Sequence, residues 1–278
     1  MQIDVGGLVL DVLVQGPADA PVVLLLHGFP QTAHCWRHVV PLLPGFQVVA
    51  PTQRGYSPGA RPDEVDDYRL PLLVGDALGV LDALEVDRAH VVGHDWGAAV
   101  AWQLGARHPA RVRTLTAVSV PHPSAFLLAL QGDADQRTRS SYMKDFARSG
   151  YDEVLLADNA ARLRRLFGGL PPEVDVEAVV AAARVPGALR SWLSWYAAQR
   201  REDVDGTPAV TVPTMHVWSD DDAALGRTGA ELTTRFVTGP YRFEVLPGVS
   251  HWIPEQAPHE LAELLTSHLA GVSGLARS

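Results

Sequence analysis

Asp95 stands between two glycines in the segment Gly93-His94-Asp95-Trp96-Gly97, with the apolar run Ala89–Val92 before it and helical spacing over Gly97–His108 after it. An acid at such a strand-to-helix junction fits a sharp nucleophile elbow. The central residue sits in a strained turn with its side chain exposed, and neighbours without Cβ let strand and helix come close. The helix N-terminus that follows favours an anion at that spot. The competing reading makes Asp95 a plain N-cap. Two further motifs favour chemistry. His27-Gly28-Phe29-Pro30 follows the first strong apolar run, and its glycine could set the Phe29 backbone N–H beside the elbow, where it and the Trp96 N–H would form an oxyanion hole. Asp222 closes Ser219-Asp220-Asp221-Asp222, and His251 lies in Gly248-Val249-Ser250-His251-Trp252. The order Asp95, Asp222, His251 is therefore nucleophile, acid, base. A carboxylate nucleophile suits a saturated carbon bearing a leaving group, because it forms an ester that water can cleave.

These residues need a scaffold, and the pattern of the chain supplies one. Short β-branched runs at Pro21–Leu26, Phe46–Ala50, Ala89–Val92, Leu115–Val120, Thr214–Trp218 and Arg242–Leu246 read as buried strands of a parallel sheet. Helical spacing at Leu70–Leu84 and Gly97–His108 alternates with them, the second stopped by Pro109, and Leu8–Val14 suggests an antiparallel edge hairpin. From about Pro123 to Thr207 no strand is expected. Helical patterns run instead over Arg137–Arg148, Tyr151–Leu166, Val174–Ala183 and Ala188–Gln199. The expectation is an α/β fold in three stretches: a core over 1–122, a helical cap over 123–207 and the rest of the core over 208–278. The cap would lie over the carboxyl ends of the strands, where such sheets bind ligands. Residues 271–278 are expected to fray.

Composition narrows the partners. A chain of 278 residues, 47% hydrophobic and 20% charged, suits one large domain or a domain with an insertion. A net charge of −9 argues against nucleic acid or an anionic membrane surface as the main partner. The basic residues are scattered, and the densest cluster, Arg162, Arg164 and Arg165, falls on a segment that reads as an amphipathic helix. No apolar run approaches a membrane span, the first residues lack a cationic leader, and a cytoplasmic location is expected. The single cysteine, Cys35, rules out an intrachain disulfide and reads as a buried thiol. Of the eleven histidines, His27 is expected to orient the oxyanion loop and His94 to point away from the nucleophile. His108, His259 and His268 read as surface positions and His216 as a strand residue. No histidine spacing suits a metal, and neither metal nor cofactor is expected.

Taken together, HGFP at 27–30, QRGYSPGARP at 53–62, GHDWGAAVAW at 93–102 and GVSHW at 248–252 resemble the α/β-hydrolase fold over roughly residues 5 to 270. The resemblance is to the branch with an aspartate nucleophile, which holds epoxide hydrolases, haloalkane dehalogenases and haloacetate dehalogenases. Ser57 departs from the pattern, standing where a second glycine is more common.

Within that branch the leaving group decides. An epoxide oxygen needs a proton or a strong hydrogen bond as the ring opens, which phenols in an apolar cap can give. Tyr142 and Tyr196 resemble the two cap tyrosines of epoxide hydrolases. A halide would need N–H donors, for which Trp192 or Trp195 are available, and a haloacid would need arginines. The chain has alanines after the nucleophile where haloacetate dehalogenases have arginines, and Phe29 where haloalkane dehalogenases usually have asparagine. The favoured reading is an epoxide hydrolase acting on a small apolar electrophile. A dehalogenase and a non-catalytic binder on the same fold stay open. Phe29, Trp96, Trp192 and Trp252 are the expected substrate-binding residues. Leu127, Leu128, Leu155, Leu166, Phe167, Trp192 and Leu193 suggest an apolar cap pocket.

Overall fold

A computed structural model describes residues 1–168 and 174–273. The eight strands form one sheet in the order β1-β2-β4-β3-β5-β6-β7-β8. They are β1 Gln2–Val5, β2 Leu8–Gln15, β3 Val22–Leu26, β4 Gln47–Pro51, β5 Ala89–His94, β6 Val112–Val118, β7 Thr214–Ser219 and β8 Tyr241–Leu246. β1 and β2 form the expected edge hairpin, turned at Gly6-Gly7, where both φ are positive and only glycine fits without strain. β2 meets β4 antiparallel, and every later pairing is parallel.

Side-chain alternation divides the core between two faces. Leu24, Leu26, Val91, Leu115 and Ala117 pack with helices α1 (Leu70–Ala83) and α2 (Trp96–Arg107). Val23, Leu25, Val92, Val118, Met215 and Val217 point the other way, with Cys35, Trp36 and the C-terminal helix. Central strands are thus apolar on both sides, which is why they read as continuous apolar runs. Cys35 is buried.

Between β6 and β7 the described residues form seven helices: α3 Pro123–Gly132, α4 Ala134–Arg139, α5 Tyr142–Phe146, α6 Tyr151–Arg165, α7 Val176–Ala183, α8 Ala188–Ala197 and α9 Arg201–Val204. After β7 come α10 Arg227–Leu232, α11 Ile253–Gln256 and α12 Pro258–Ser273. The single helix expected over Arg137–Arg148 is two short ones. Asp133 caps α4 through the Asp135 amide, and the chain breaks at Ser140-Ser141 before α5. α3 and α9 were not foreseen, because a ten-residue and a four-residue segment give too little periodicity to stand out. At 271–273 the chain is helical rather than frayed, and 274–278 lie outside the described residues. No helix among the described residues is long and apolar enough to cross a membrane.

Arg69 pairs with Glu202 and Asp203, and Arg200 pairs with Asp66, so two arginines tie the start of α1 to the end of the helical insert. His268, expected at the surface, is buried on the inner face of α12. Spacing alone did not show which face of that helix meets the sheet. Ser57 has a local use. Its hydroxyl donates to the Thr52 carbonyl and accepts from the Asp11 amide, stitching the loop after β4 to β2, which glycine could not do.

Candidate active site

The parallel strands end together, and their carboxyl ends carry the site. At the tip of β5, Asp95 has φ 52° and ψ −122°, a conformation that costs an ordinary residue roughly 1–3 kcal/mol and turns the side chain out of the sheet. The glycines around it leave no room for anything larger. A Cβ on Gly93 would overlap the Gly97 carbonyl, and one on Gly97 would overlap the Leu26 carbonyl of the neighbouring strand. Gly28 is close-packed for the same reason, since a Cβ there would meet the Asp95 carboxylate itself. The lack of a side chain at 28 is what lets the Phe29 amide reach Asp95.

The two oxygens of Asp95 face different partners. Oδ1 accepts from the Phe29 amide at 2.7 Å, and the Trp96 backbone N–H also hydrogen-bonds the carboxylate. Oδ2 lies 3.5 Å from His251 Nε2. On its far side, His251 Nδ1 meets Asp222 Oδ2 at 2.8 Å. Asp222 is 1% exposed, and its other oxygen accepts from the Ala224 and Leu225 amides at 2.8 and 3.0 Å. The structure thus brings Asp95, Asp222, His251 and the Phe29 and Trp96 amides into one cluster.

Burial and charge pull against each other here. Burial works to raise the Asp95 carboxyl, but His251, His94 and the Trp96 amide outweigh it and hold the acid below its ordinary value. Burial works to discharge His251, yet Asp222 and then Asp95 overcome it and raise the imidazole to about 10. His251 thus sits between two acids, and their charge favours its protonated form.

Tyr142 on α5 and Tyr196 on α8 line one cavity of about 340 Å³ with Asp95 and Trp96. The phenol rings are 6.2 Å apart and the Tyr142 hydroxyl hydrogen-bonds that of Tyr196. The Trp96 side chain hydrogen-bonds the Tyr196 hydroxyl, with the two rings perpendicular at 5.2 Å. Burial, reinforced by the nearby charge of Asp95, pushes both phenols up, so both keep their protons. The remaining wall is mostly apolar, including Phe126, Leu127, Leu130, Met143 and Leu225, with Gln199 to Arg201 and Asp203 at a polar end.

Three of the four expected substrate-binding side chains do not line this cavity. Trp192 is stacked on Tyr56 at 4.8 Å inside the core. Trp252 is stacked on Phe167 at 4.5 Å. Phe29 lies behind Tyr196, its ring edge-on at 5.3 Å, and contributes its amide. Trp96 alone of the four is a wall residue. Of the apolar residues expected to form a cap pocket, only Leu127 faces it. Leu155, Phe167 and Leu193 are buried in packing and Leu128 faces solvent. Aromatic and aliphatic side chains satisfy a core as well as a cavity, so residue type could not separate the two.

Two histidines hold the loops. Burial lowers both His27 and His94 to about 4, which keeps them neutral. His27 Nε2 accepts from the Gln53 amide at 3.0 Å, which ties the loop after β3 to the loop after β4. His94 donates through Nε2 to the His251 carbonyl at 2.8 Å and so pins the base loop to the elbow, a part the sequence reading did not give it. Gln31, next to the oxyanion loop, hydrogen-bonds Glu255, which Arg37 neutralises at 2.6 Å.

Comparison with known proteins accords with this geometry. The model of the alpha/beta hydrolase fold family matches residues 21–258. Epoxide hydrolase A of Mycobacterium tuberculosis is 31% identical over 316 residues, covering 97% of this chain and 97% of its own. The AB hydrolase superfamily protein YfhM of Bacillus subtilis is 33% identical over 276 residues, covering 96% of each chain. The structure of a Bacillus megaterium epoxide hydrolase in complex with an inhibitor superposes with a TM-score of 0.88 at 27% identity, over 97% of this chain and all of the other. The chain belongs to the alpha/beta hydrolase family and groups there with relatives that bear the name epoxide hydrolase.

Proposed function

We propose that the protein opens epoxides to vicinal diols through an ester on Asp95, with the helical insert over 123–207 acting as a cap that supplies the proton donors. The observation that carries this reading is the meeting of a buried carboxylate with two protonated phenols across one apolar cavity. Relatives over nearly the whole chain carry the name epoxide hydrolase, which supports it.

Asp95 Oδ2 attacks one ring carbon, and the C–O bond breaks. The ring oxygen takes a proton through Tyr142 or Tyr196. Oδ1, already held by the Phe29 amide, becomes the ester carbonyl oxygen, with the Trp96 amide beside the same carboxylate. Esterification removes the Asp95 charge, one of the two carboxylates that hold His251 protonated. The imidazole then gives up its proton, which replaces the one the tyrosine passed to the ring oxygen, and serves as base for the water that attacks the ester. The amides stabilise the tetrahedral oxyanion, a contribution worth about 10²–10³ in rate per donor. Collapse releases the diol and restores both carboxylate and imidazolium. No cofactor enters the scheme.

The dehalogenase alternative lacks the two indole donors expected for it. The Trp195 indole N–H is committed to the Arg54 carbonyl at 2.9 Å, and Trp192 is outside the cavity. Arg200 and Arg201, at its polar end, are paired with Asp66 and Asp205, which leaves no ready clamp for a haloacid carboxylate.

Single turnover of a styrene-oxide-type epoxide in heavy-oxygen water tests the proposal. The first diol should carry protein-derived oxygen, with the label entering the Asp95 peptide, and Asp95→Asn should give no diol. Label appearing directly in the first diol would remove Asp95 as nucleophile. Halide release from chloro- or bromoalkanes at a comparable rate would favour the other branch.

A further inference from the structure

Asp222 sits in a loop, 220–226, that has no regular secondary structure. Its backbone is held instead by side chains, and two of them come from α4 in the insert. Gln136 is fully buried and uses its whole amide. Nε2 donates to the Ala224 carbonyl and to Ser140 Oγ, each at 2.9 Å, and Oε1 accepts from the Gly226 amide at 2.8 Å. Arg139, one turn on, donates through Nη1 to the Asp222 carbonyl at 2.5 Å. The amides that hold Asp222 Oδ1 belong to Ala224 and Leu225, so Gln136 grips the same short stretch that grips the carboxylate. Trp218 takes the Leu225 carbonyl from the core side at 3.0 Å. Three residues after Arg139 the chain reaches Tyr142.

We propose that Gln136, with Arg139, is a positioning residue for the acid of the triad: α4 fixes the Asp222 loop and presents Tyr142 in the same short segment, so that seating of the insert sets the proton donor and the His251–Asp222 bond together. This rests on the reading above for the roles of Tyr142 and His251, while the clamp itself can be tested without substrate. A glutamine that only docked the insert would not need to grip backbone on both sides of Leu225. Docking on the core is already served nearby, where Thr228 Oγ1 donates to Asp133 Oδ2 at 2.6 Å.

The test compares wild type with Gln136→Met, Arg139→Met and, as a docking control, Thr228→Val. The groups that face the His251 ring are Asp222, Asp95 and the neutral His94. Imidazole nitrogen NMR, which needs no substrate, should show the His251 midpoint lowered by about one unit or more in the two clamp variants as the Asp222 contact loosens. It should be unchanged in Thr228→Val. In single turnovers the clamp variants should slow ester hydrolysis by about tenfold or more, part of the 10²–10⁴ a general base contributes, and so accumulate ester while ring opening is the less affected step. An unchanged His251 midpoint in both clamp variants, an equal change in Thr228→Val, or equal slowing of both steps would overturn the proposal. Arg139→Met decides if Gln136→Met does not fold. If wild type forms no ester with any epoxide, the functional reading fails, and the NMR arm still decides the clamp.

Discussion

On the proposed mechanism a single carboxylate does two jobs at Asp95, because its oxygens are held differently. Oδ1 accepts from the Phe29 amide before any substrate arrives, so on the proposed mechanism an oxyanion donor is in place in advance and costs no reorganisation during reaction. The other is left toward the cavity and His251. Tyr196 is similarly constrained. Its oxygen accepts from Trp96 and its hydroxyl meets that of Tyr142, which on the proposed reading can relay a proton to the ring oxygen. Tyr196→Phe should therefore slow ring opening by about 10²-fold or more, the scale of a positioned acid, with ester hydrolysis much less affected. Stopped-flow tryptophan fluorescence can separate the two steps, since Trp96 and Trp195 both line the cavity. Equal slowing of both would assign Tyr196 to packing against Phe29 and Phe146.

At the scale of elements, the site is made by how closely strand ends, elbow and oxyanion loop approach one another. Leu26 pairs with Gly93 across β3 and β5, which puts the residues after each strand side by side. Gly28→Ala tests this closeness. The new Cβ would meet the Asp95 side chain rather than a strand backbone, so the fold should survive. The carboxylate would be displaced from the Phe29 amide, and turnover should fall by about 10²–10³, as for loss of one oxyanion donor. An unchanged melting temperature together with near-normal activity would mean that the contact is not needed. Gly97→Ala, by contrast, drives into the Leu26 carbonyl and should reduce soluble expression. These close approaches were legible in the sequence as glycines at fixed spacing. The α4 clamp was not, because Gln136 and Arg139 carry no motif and their partners lie 80 to 90 residues away.

Across the whole molecule, buried histidines set the response to acid. His27, His90, His94, His122, His216 and His268 are each lowered to about 4, in every case chiefly by burial. Their unfolded forms take up protons near pH 6.5, while the folded forms do so only near pH 4. Stability should therefore fall as pH drops through that window. The raised Glu255 and Asp76 carboxyls act in the opposite sense but are fewer. His251 behaves in reverse. Its folded value of about 10 gives stability that is complete below pH 6.5 and is lost as pH rises toward 10. Melting temperature should pass through a maximum near neutrality, and calorimetry at pH 5 in buffers of different ionisation enthalpy should show proton uptake on unfolding. Net proton release at pH 5 would contradict this account.

What the sequence determined by itself was whatever depends on local backbone physics or on chain order. The apolar runs marked the parallel strands, the Gly-x-Asp-x-Gly spacing marked the sharp turn at Asp95, and the choice of Asp95, Asp222 and His251 marked three residues that the fold brings together. Tertiary structure alone decided which aromatic side chains face the cavity. Trp96, Tyr142 and Tyr196 do so, while Trp192 and Trp252 are packed elsewhere. It alone decided that His268 is internal and that an insert helix grips the acid loop. The reason is physical: helical or strand periodicity says that a face is apolar, but a packed core and a ligand cavity are equally apolar, and only the placement of neighbouring elements fills one and leaves the other open.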